Sequence, residues 1–173
     1  MCLKRKEGRG DLVTQAYRTA VVVSFLILLS CAYSFRGSLP ESIKSVQVEQ
    51  FRSTVTEYGL EQDITALVTE SIVRDGRLSI DNDNPDVRIT GSVSYFSRTA
   101  VTYTSGEDVE QYKLEIRVVV SMGNAVGNEY IIRDETVSEW LLYDPSEESL
   151  DSARARLVTQ VSDAVVRRCL SGW

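Results

Sequence analysis

The sequence predicts a two-layer α+β domain, with two amphipathic helices packed on one face of a mixed, mostly antiparallel sheet. Three observations carry this. Several segments alternate apolar and polar residues, the period of a strand with one buried face. Two other segments repeat apolar residues at three- and four-residue spacing, the period of a helix with one buried stripe. Their order is strand, helix, three or four antiparallel strands, helix, so two helices are available to cover the apolar side of the sheet.

Taken in order, Ile43-Lys44-Ser45-Val46-Gln47-Val48-Glu49 alternates and is the first strand. Leu60, Ile64, Leu67, Val68 and Ile72 then define a helix that Asp75-Gly76 ends. Ile80 marks a short strand before the polar turn Asp81–Asp86 (DNDNPD). Oxygen ligands alternate in that turn as in a calcium loop, but Pro85 and the missing glycine break the pattern, and an Asx-rich turn is the reading. In the next strand Val87, Ile89, Val93 and Tyr95 share one face, with Arg88, Thr90, Ser92 and Ser94 on the other; an irregular continuation runs through SRTAVTYT. Beyond a loop around Ser105–Asp108, Leu114, Ile116, Val118 and Val120 oppose Lys113, Glu115 and Arg117. Gly123–Asn128 (GNAVGN) is a turn, and Tyr130 to Leu142 returns as a strand with Ile131, Ile132, Val137, Trp140 and Leu141. Its alternation is imperfect, which predicts a bulge or bend. Asp144-Pro145-Ser146-Glu147 reads as the start of the last helix, with Asp as N-cap, Pro at N1 and Glu at N3. Leu150, Ala153, Leu157, Val161, Ala164, Val165 and Cys169 are its expected buried stripe, with Arg154 and Arg168 on the same face near its ends.

The first 30 residues have a different character. Lys4, Arg5, Lys6, Arg9 and Arg18 precede the apolar run Ala20–Leu29 (AVVVSFLILL). A bilayer core takes about 20 apolar residues, so this run is half a span. A basic region, a short apolar region and small residues after it describe a secretory signal peptide over residues 1–30. Leu28-Leu29-Ser30-Cys31 resembles a bacterial lipobox, in which the cysteine thiol is lipidated, the bond before it is cut and the new amino terminus is acylated, for example with palmitate. Cys31 is then the lipid-attachment site and residue one of the mature chain. The alternative is a plain signal peptide or signal anchor with an incidental cysteine. Two or more acyl chains hold a protein stably at a membrane without embedding it. Residues 31–40 form a short lipidated tether, and residues 41–173 a single domain.

Removing the leader takes five of the 19 basic residues and two of the 25 acidic ones, which leaves 14 and 23 and a net charge of −9. An acidic domain is a poor nucleic-acid binder, since phosphate contacts need clustered Lys and Arg. With Cys2 discarded and Cys31 lipidated, Cys169 remains alone, read as a small core residue rather than an intermolecular partner. The chain has no histidine, which removes Ser-His-Asp and Cys-His nucleophile systems and the usual His-bearing zinc sites. There is no Gly-rich phosphate loop, and no cofactor or metal is expected. The chain reads as a non-enzyme.

The mature chain resembles the LptE family, the lipoproteins of lipopolysaccharide assembly at the bacterial outer membrane. The residues that carry the likeness are Cys31, Tyr33, Ser34, Phe35 and Gly37, then SIKSVQVEQF, LEQDITALVTESIVRDGRLSI, DVRITGSVSY (Asp86–Tyr95) and the strand around Tyr112. Order and spacing make the match, and the form is more similar to members from Bacteroidetes- or Chlorobi-type bacteria than to proteobacterial ones. The resemblance implies two helices on a four-stranded sheet, and an outer-membrane lipoprotein that plugs an LptD-like β-barrel, helps it assemble and helps pass lipopolysaccharide to the cell surface. Ala32 after the cysteine agrees with sorting to the outer membrane, with the domain on the periplasmic side or within the barrel lumen. Proteobacterial relatives touch lipopolysaccharide phosphates through basic residues in two loops. Here those regions are acidic, Gly106-Glu107-Asp108 and Glu147-Glu148 with Asp151, so that contact does not carry over. The remaining candidates for lipopolysaccharide are Arg98, Lys113, Arg117 and Arg133, each of which is otherwise an ordinary solvated residue. A second functional reading keeps the anchor and changes the partner: a lipid-anchored accessory subunit of another envelope transport or secretion complex.

Overall fold

The computed structural model describes residues 42–103, 109–127 and 129–171. The elements are β1 (Ser45–Val48), β2 (Arg52–Ser53), α1 (Leu60–Asp75), β3 (Ser79–Ile80), β4 (Val87–Tyr103), β5 (Val109–Asn124), β6 (Tyr130–Tyr143) and α2 (Leu150–Ser171). The α+β class with two helices and a mixed sheet is as expected. The strand number is not: the sheet has six strands, in the order β3-β1-β4-β5-β6, with β2 also paired to β4. β1 runs parallel to both β3 and β4, β2 runs parallel to β4, and only the β4–β5–β6 meander is antiparallel.

The extra strands have a physical origin. Val48 pairs with Ile89 and Arg52 with Ser92, so three residues of the first segment span two of β4. The surplus residue lets Phe51 leave the ladder for the core, where it is 1 % exposed, and its N–H donates to Thr65 Oγ1 at 3.0 Å. One expected strand thus becomes two, β1 and β2. The Phe51 ring lies over Gly91, where a Cβ would sit 2.6–2.8 Å from three ring carbons. Glycine is required there by close approach.

α1 buries Leu60, Ile64, Val68 and Ile72 in the spacing expected. Fully burying such side chains contributes about 1.5–3 kcal/mol each. Gly59 (φ 85°) and Gly76 (φ 76°) bracket the helix in left-handed conformations, and the Gly76 N–H donates to the Ile72 carbonyl at 3.1 Å. α2 buries Ala153, Leu157, Val161, Ala164, Val165 and Cys169 as expected, together with Val158, Val166 and Leu170. Its start differs from the expected one. Asp144 Oδ1 accepts from the N–H and hydroxyl of Ser146, both at 2.7 Å, which closes a separate turn. Ser149 caps the helix instead, its hydroxyl accepting the Ser152 N–H at 3.2 Å, and Leu150 is exposed rather than part of the stripe. The helices are tied by Arg154 to Asp63 (3.1 Å) and by Asp163, which accepts from Ser71 (2.5 Å) and Arg74 (2.9 Å).

Both helices cover one face of the sheet. Val46, Val87, Ile89, Val93, Leu114, Ile116, Val118, Val120 and Met122 form its buried side. The opposite face has no element over it among the described residues.

Candidate docking surface

Two bulges decide which side chains reach the open face. In β4 the register slips between Val93, opposite Val118, and Tyr95, opposite Arg117. One surplus residue inverts the alternation. Tyr95, expected beside Val93, therefore points outward at 38 % exposure, and Phe96 takes the core side opposite Ile116. In β6 the expected irregularity falls at Arg133–Asp134, between the pairs Val120–Glu135 and Met122–Ile132. Asp134 sits at φ 50°, its N–H donating to Ser121 Oγ at 2.8 Å and its Oδ1 accepting from that hydroxyl at 3.1 Å.

Beyond these slips the open face carries a cation–aromatic lattice. Glu115 lies between Lys113 (Nζ to Oε2, 2.8 Å) and Arg117 (Nη2 to Oε1, 2.6 Å). Hydrogen bonds from Lys113 and then Arg117 hold its carboxyl below the usual carboxylate range. Arg117 lies 4.5 Å over the Tyr95 ring and Lys113 5.3 Å over Trp140, which is half exposed opposite Glu115. Nearer the β5–β6 turn, Arg133 lies 5.1 Å over Tyr130. Arg88 donates to Gln47 Oε1 at 2.9 Å and pairs with Glu49 at 3.2 Å. An open groove between β2 and β5 is lined by Glu49, Arg52, Thr90, Ser92, Val119 and Ser121.

The four expected lipopolysaccharide candidates are thus dispersed. Lys113 and Arg117 stand together, Arg133 is at the bulge, and Arg98 lies on the other face. Arg98 is opposite the core residue Leu114 and stacks 3.7 Å over Tyr112, whose ring is stacked on Tyr143. Each cation sits over an aromatic ring, a feature the strand patterns did not announce because the bulges move the rings. Of the two acidic regions, Glu148 is held by Arg156 (2.5 Å) and Ser152 (2.9 Å), while Gly106–Asp108 lies outside the described residues, as does Cys31. Among the described residues no helix is long and apolar enough to cross a membrane, and no group of three or more His, Cys, Asp or Glu could hold a metal.

Residues 43–169 match the family model LptE, lipopolysaccharide-assembly. The chain belongs to the LptE family. The likeness read from the order and spacing of its segments therefore holds at family level. No curated protein matches the chain. Among solved structures, an uncharacterized lipoprotein B from Nitrosomonas europaea superposes with a TM-score of 0.59 at 11 % identity, over 82 % of this chain and 92 % of that one. A hypothetical protein from Chlamydia trachomatis gives 0.53 at 9 % identity, over 74 % and 96 %. A protein from Xanthomonas campestris gives 0.53 at 12 % identity, over 77 % and 90 %. At these identities the likeness is one of fold.

Proposed function

We propose that this LptE-family chain is a non-enzymatic outer-membrane lipoprotein that plugs an LptD-like β-barrel, supports its assembly and serves the transport of lipopolysaccharide to the cell surface. Residues 1–30 are its signal peptide, Cys31 its lipid-attachment site, residues 31–40 its tether and residues 41–173 its working domain. The supporting observation is the open sheet face. Three long strands present a surface of cations, hydroxyls and partly exposed side chains such as Tyr95 and Trp140, whose charged and polar groups suit contact with the polar interior of a membrane barrel. Direct contact with lipopolysaccharide through Arg98, Lys113, Arg117 and Arg133 is the weaker part of the reading, because the four do not converge on one phosphate.

Affinity purification of the full chain from outer membranes in mild detergent, followed by mass spectrometry, tests the reading. A stoichiometric LptD-like barrel is expected; its absence refutes the plug. Cys31→Ala should abolish acyl labelling and release the domain from the membrane fraction, and labelling that survives the change refutes the anchor.

A further inference from the structure

We propose that the edge of the sheet, strand β6 from Thr136 to Leu142, receives an extended polypeptide segment of another protein, which joins the sheet as a further strand through its backbone. This goes beyond the plug reading, which concerns the face of the sheet and not its edge.

The hydrogen-bond pattern fixes which groups the edge presents. In β4, Ile89 and Val93 turn their carbonyls toward the first segment, where they accept from the Glu49 and Thr54 N–H groups at 3.0 Å. Their partners across the next ladder, Met122 and Val118, are therefore not bonded to β4 and turn their own N–H and C=O toward β6. β5 and β6 pair without a slip from Tyr112–Tyr143 to Val120–Glu135. Val137, Glu139, Leu141 and Tyr143 thus bond to β5, while Thr136, Ser138, Trp140 and Leu142 each turn an N–H and a C=O outward. All four of these residues are exposed, and β6 pairs with no strand but β5 among the described residues. At the far side of the sheet β2 and β3 have two residues each, so β6 is the long edge.

Natural sheets blunt such an edge with Lys, Pro, bulges or charges that point inward. β6 contains neither Lys nor Pro, and its bulge at Arg133–Asp134 lies outside the run Thr136–Leu142. Glu139 is the one charge in the run. It stands opposite Ile116 on the helical side, 4.0 Å from Arg167. That charge selects against a second copy of this chain. Antiparallel pairing of two β6 strands that joins all four outward residues, Thr136 with Leu142 and Ser138 with Trp140, sets Glu139 directly against Glu139, and like charges so placed repel. A foreign strand escapes this conflict by placing a hydroxyl or a cation opposite Glu139. On the open face it meets Trp140 and Leu142, 54 % and 42 % exposed, which favour aromatic or branched neighbours. The occupant is therefore an alternating segment, apolar on one side and hydroxyl-bearing or basic on the other. Main-chain bonds hold it and alternate side chains select it.

The test measures hydrogen exchange on the acylated full chain, purified from its own envelope with its partners and again after they are stripped. In the stripped chain the amides of Ser138, Trp140 and Leu142 should exchange fast and those of Val137, Glu139 and Leu141 slowly. In the complex the first three should become slow as well. Ser138→Pro removes one outward N–H that the domain itself does not use, a change that an edge strand accommodates. It should lower recovery of the partner at least about fivefold, whereas Ser138→Thr, which keeps the N–H, should stay within about twofold. Edge amides that remain fast in the complex overturn the proposal, a result that holds even if Ser138→Pro fails to fold. So does full recovery of the partner by a folded Ser138→Pro variant. Protection that appears only in a complex of two copies of this chain overturns it too. A barrel recovered with the edge still fast refutes the edge alone and leaves the plug reading standing, while a chain that recovers no protein refutes both.

Discussion

Gly91→Ala should destabilise the domain through one identifiable collision. The added methyl would stand 2.6 Å from one ring carbon of Phe51 and 2.8 Å from two others. Phe51 cannot easily retreat, because it is 1 % exposed and its backbone N–H is held by Thr65. Overpacking of this kind costs about 1–3 kcal/mol. For a domain of this size that lowers the melting temperature by about 3–15 °C. The assay is thermal unfolding of the single variants Gly91→Ala and Phe51→Leu and of the double. Phe51→Leu alone leaves unfilled space, while in the double the smaller side chain makes room for the methyl. The double should therefore be more stable than the sum of the singles by about 1 kcal/mol, the coupling expected of residues in contact. A Gly91→Ala variant that melts with the unaltered protein, or strict additivity in the cycle, would refute the reasoning.

Three further outcomes follow from the same coordinates. At Asp134, where φ is 50°, Asn should be tolerated and Val should cost about 1–2 kcal/mol in denaturant unfolding, since only short polar residues and glycine enter the left-handed region readily. Asp86 accepts the Lys44 and Ser45 N–H groups and the Ser45 hydroxyl at 2.9–3.0 Å, and these bonds hold its carboxyl below the ordinary value. A depressed folded pKa stabilises above the unfolded value, near pH 4, and the contribution is lost as pH falls through the folded one. The unfolding midpoint of Asp86→Asn should therefore drop less than that of the unaltered protein between pH 5 and pH 3. Burial pushes the Cys169 thiol up to about 12, with Glu135 adding to the effect and Arg168 opposing it. Maleimide at pH 8 should leave the Cys169 peptide unlabelled in the native protein and label it in guanidinium, as read by peptide mass spectrometry.

The parts of the fold legible in the sequence are those long enough to show a period. Leu60, Ile64, Val68 and Ile72 state their helix plainly, and Leu114, Ile116, Val118 and Val120 state their strand. β2 has two residues, too few for any period, and exists because Phe51 must dive; the equally short β3 was expected at Ile80, between a helix end and a polar turn. Tyr95 lies on the face opposite to the expected one because a single surplus residue inverts every later side chain, and nothing in the alternation of Asp86–Tyr95 (DVRITGSVSY) marks where that residue sits. The apparent capping box at Asp144 failed for a related reason: Ser146 satisfies Asp144 locally, and Ser149, five residues on, does the capping. The candidate site shows the same division. Its cations could be named as residues, but their assignment to one face, and their rings, depended on bulges that only the structure locates.

The most direct measurement of the central claim is crosslinking inside the cell. A photoreactive amino acid at Ser138, on β6 opposite Arg117 on the open face, is compared with one at Thr159, exposed on α2. The account predicts an adduct of an LptD-like barrel from Ser138, formed more efficiently than any adduct from Thr159. A barrel adduct from Thr159 alone would contradict the docking face, and adducts with unrelated envelope proteins from both positions would contradict the plug.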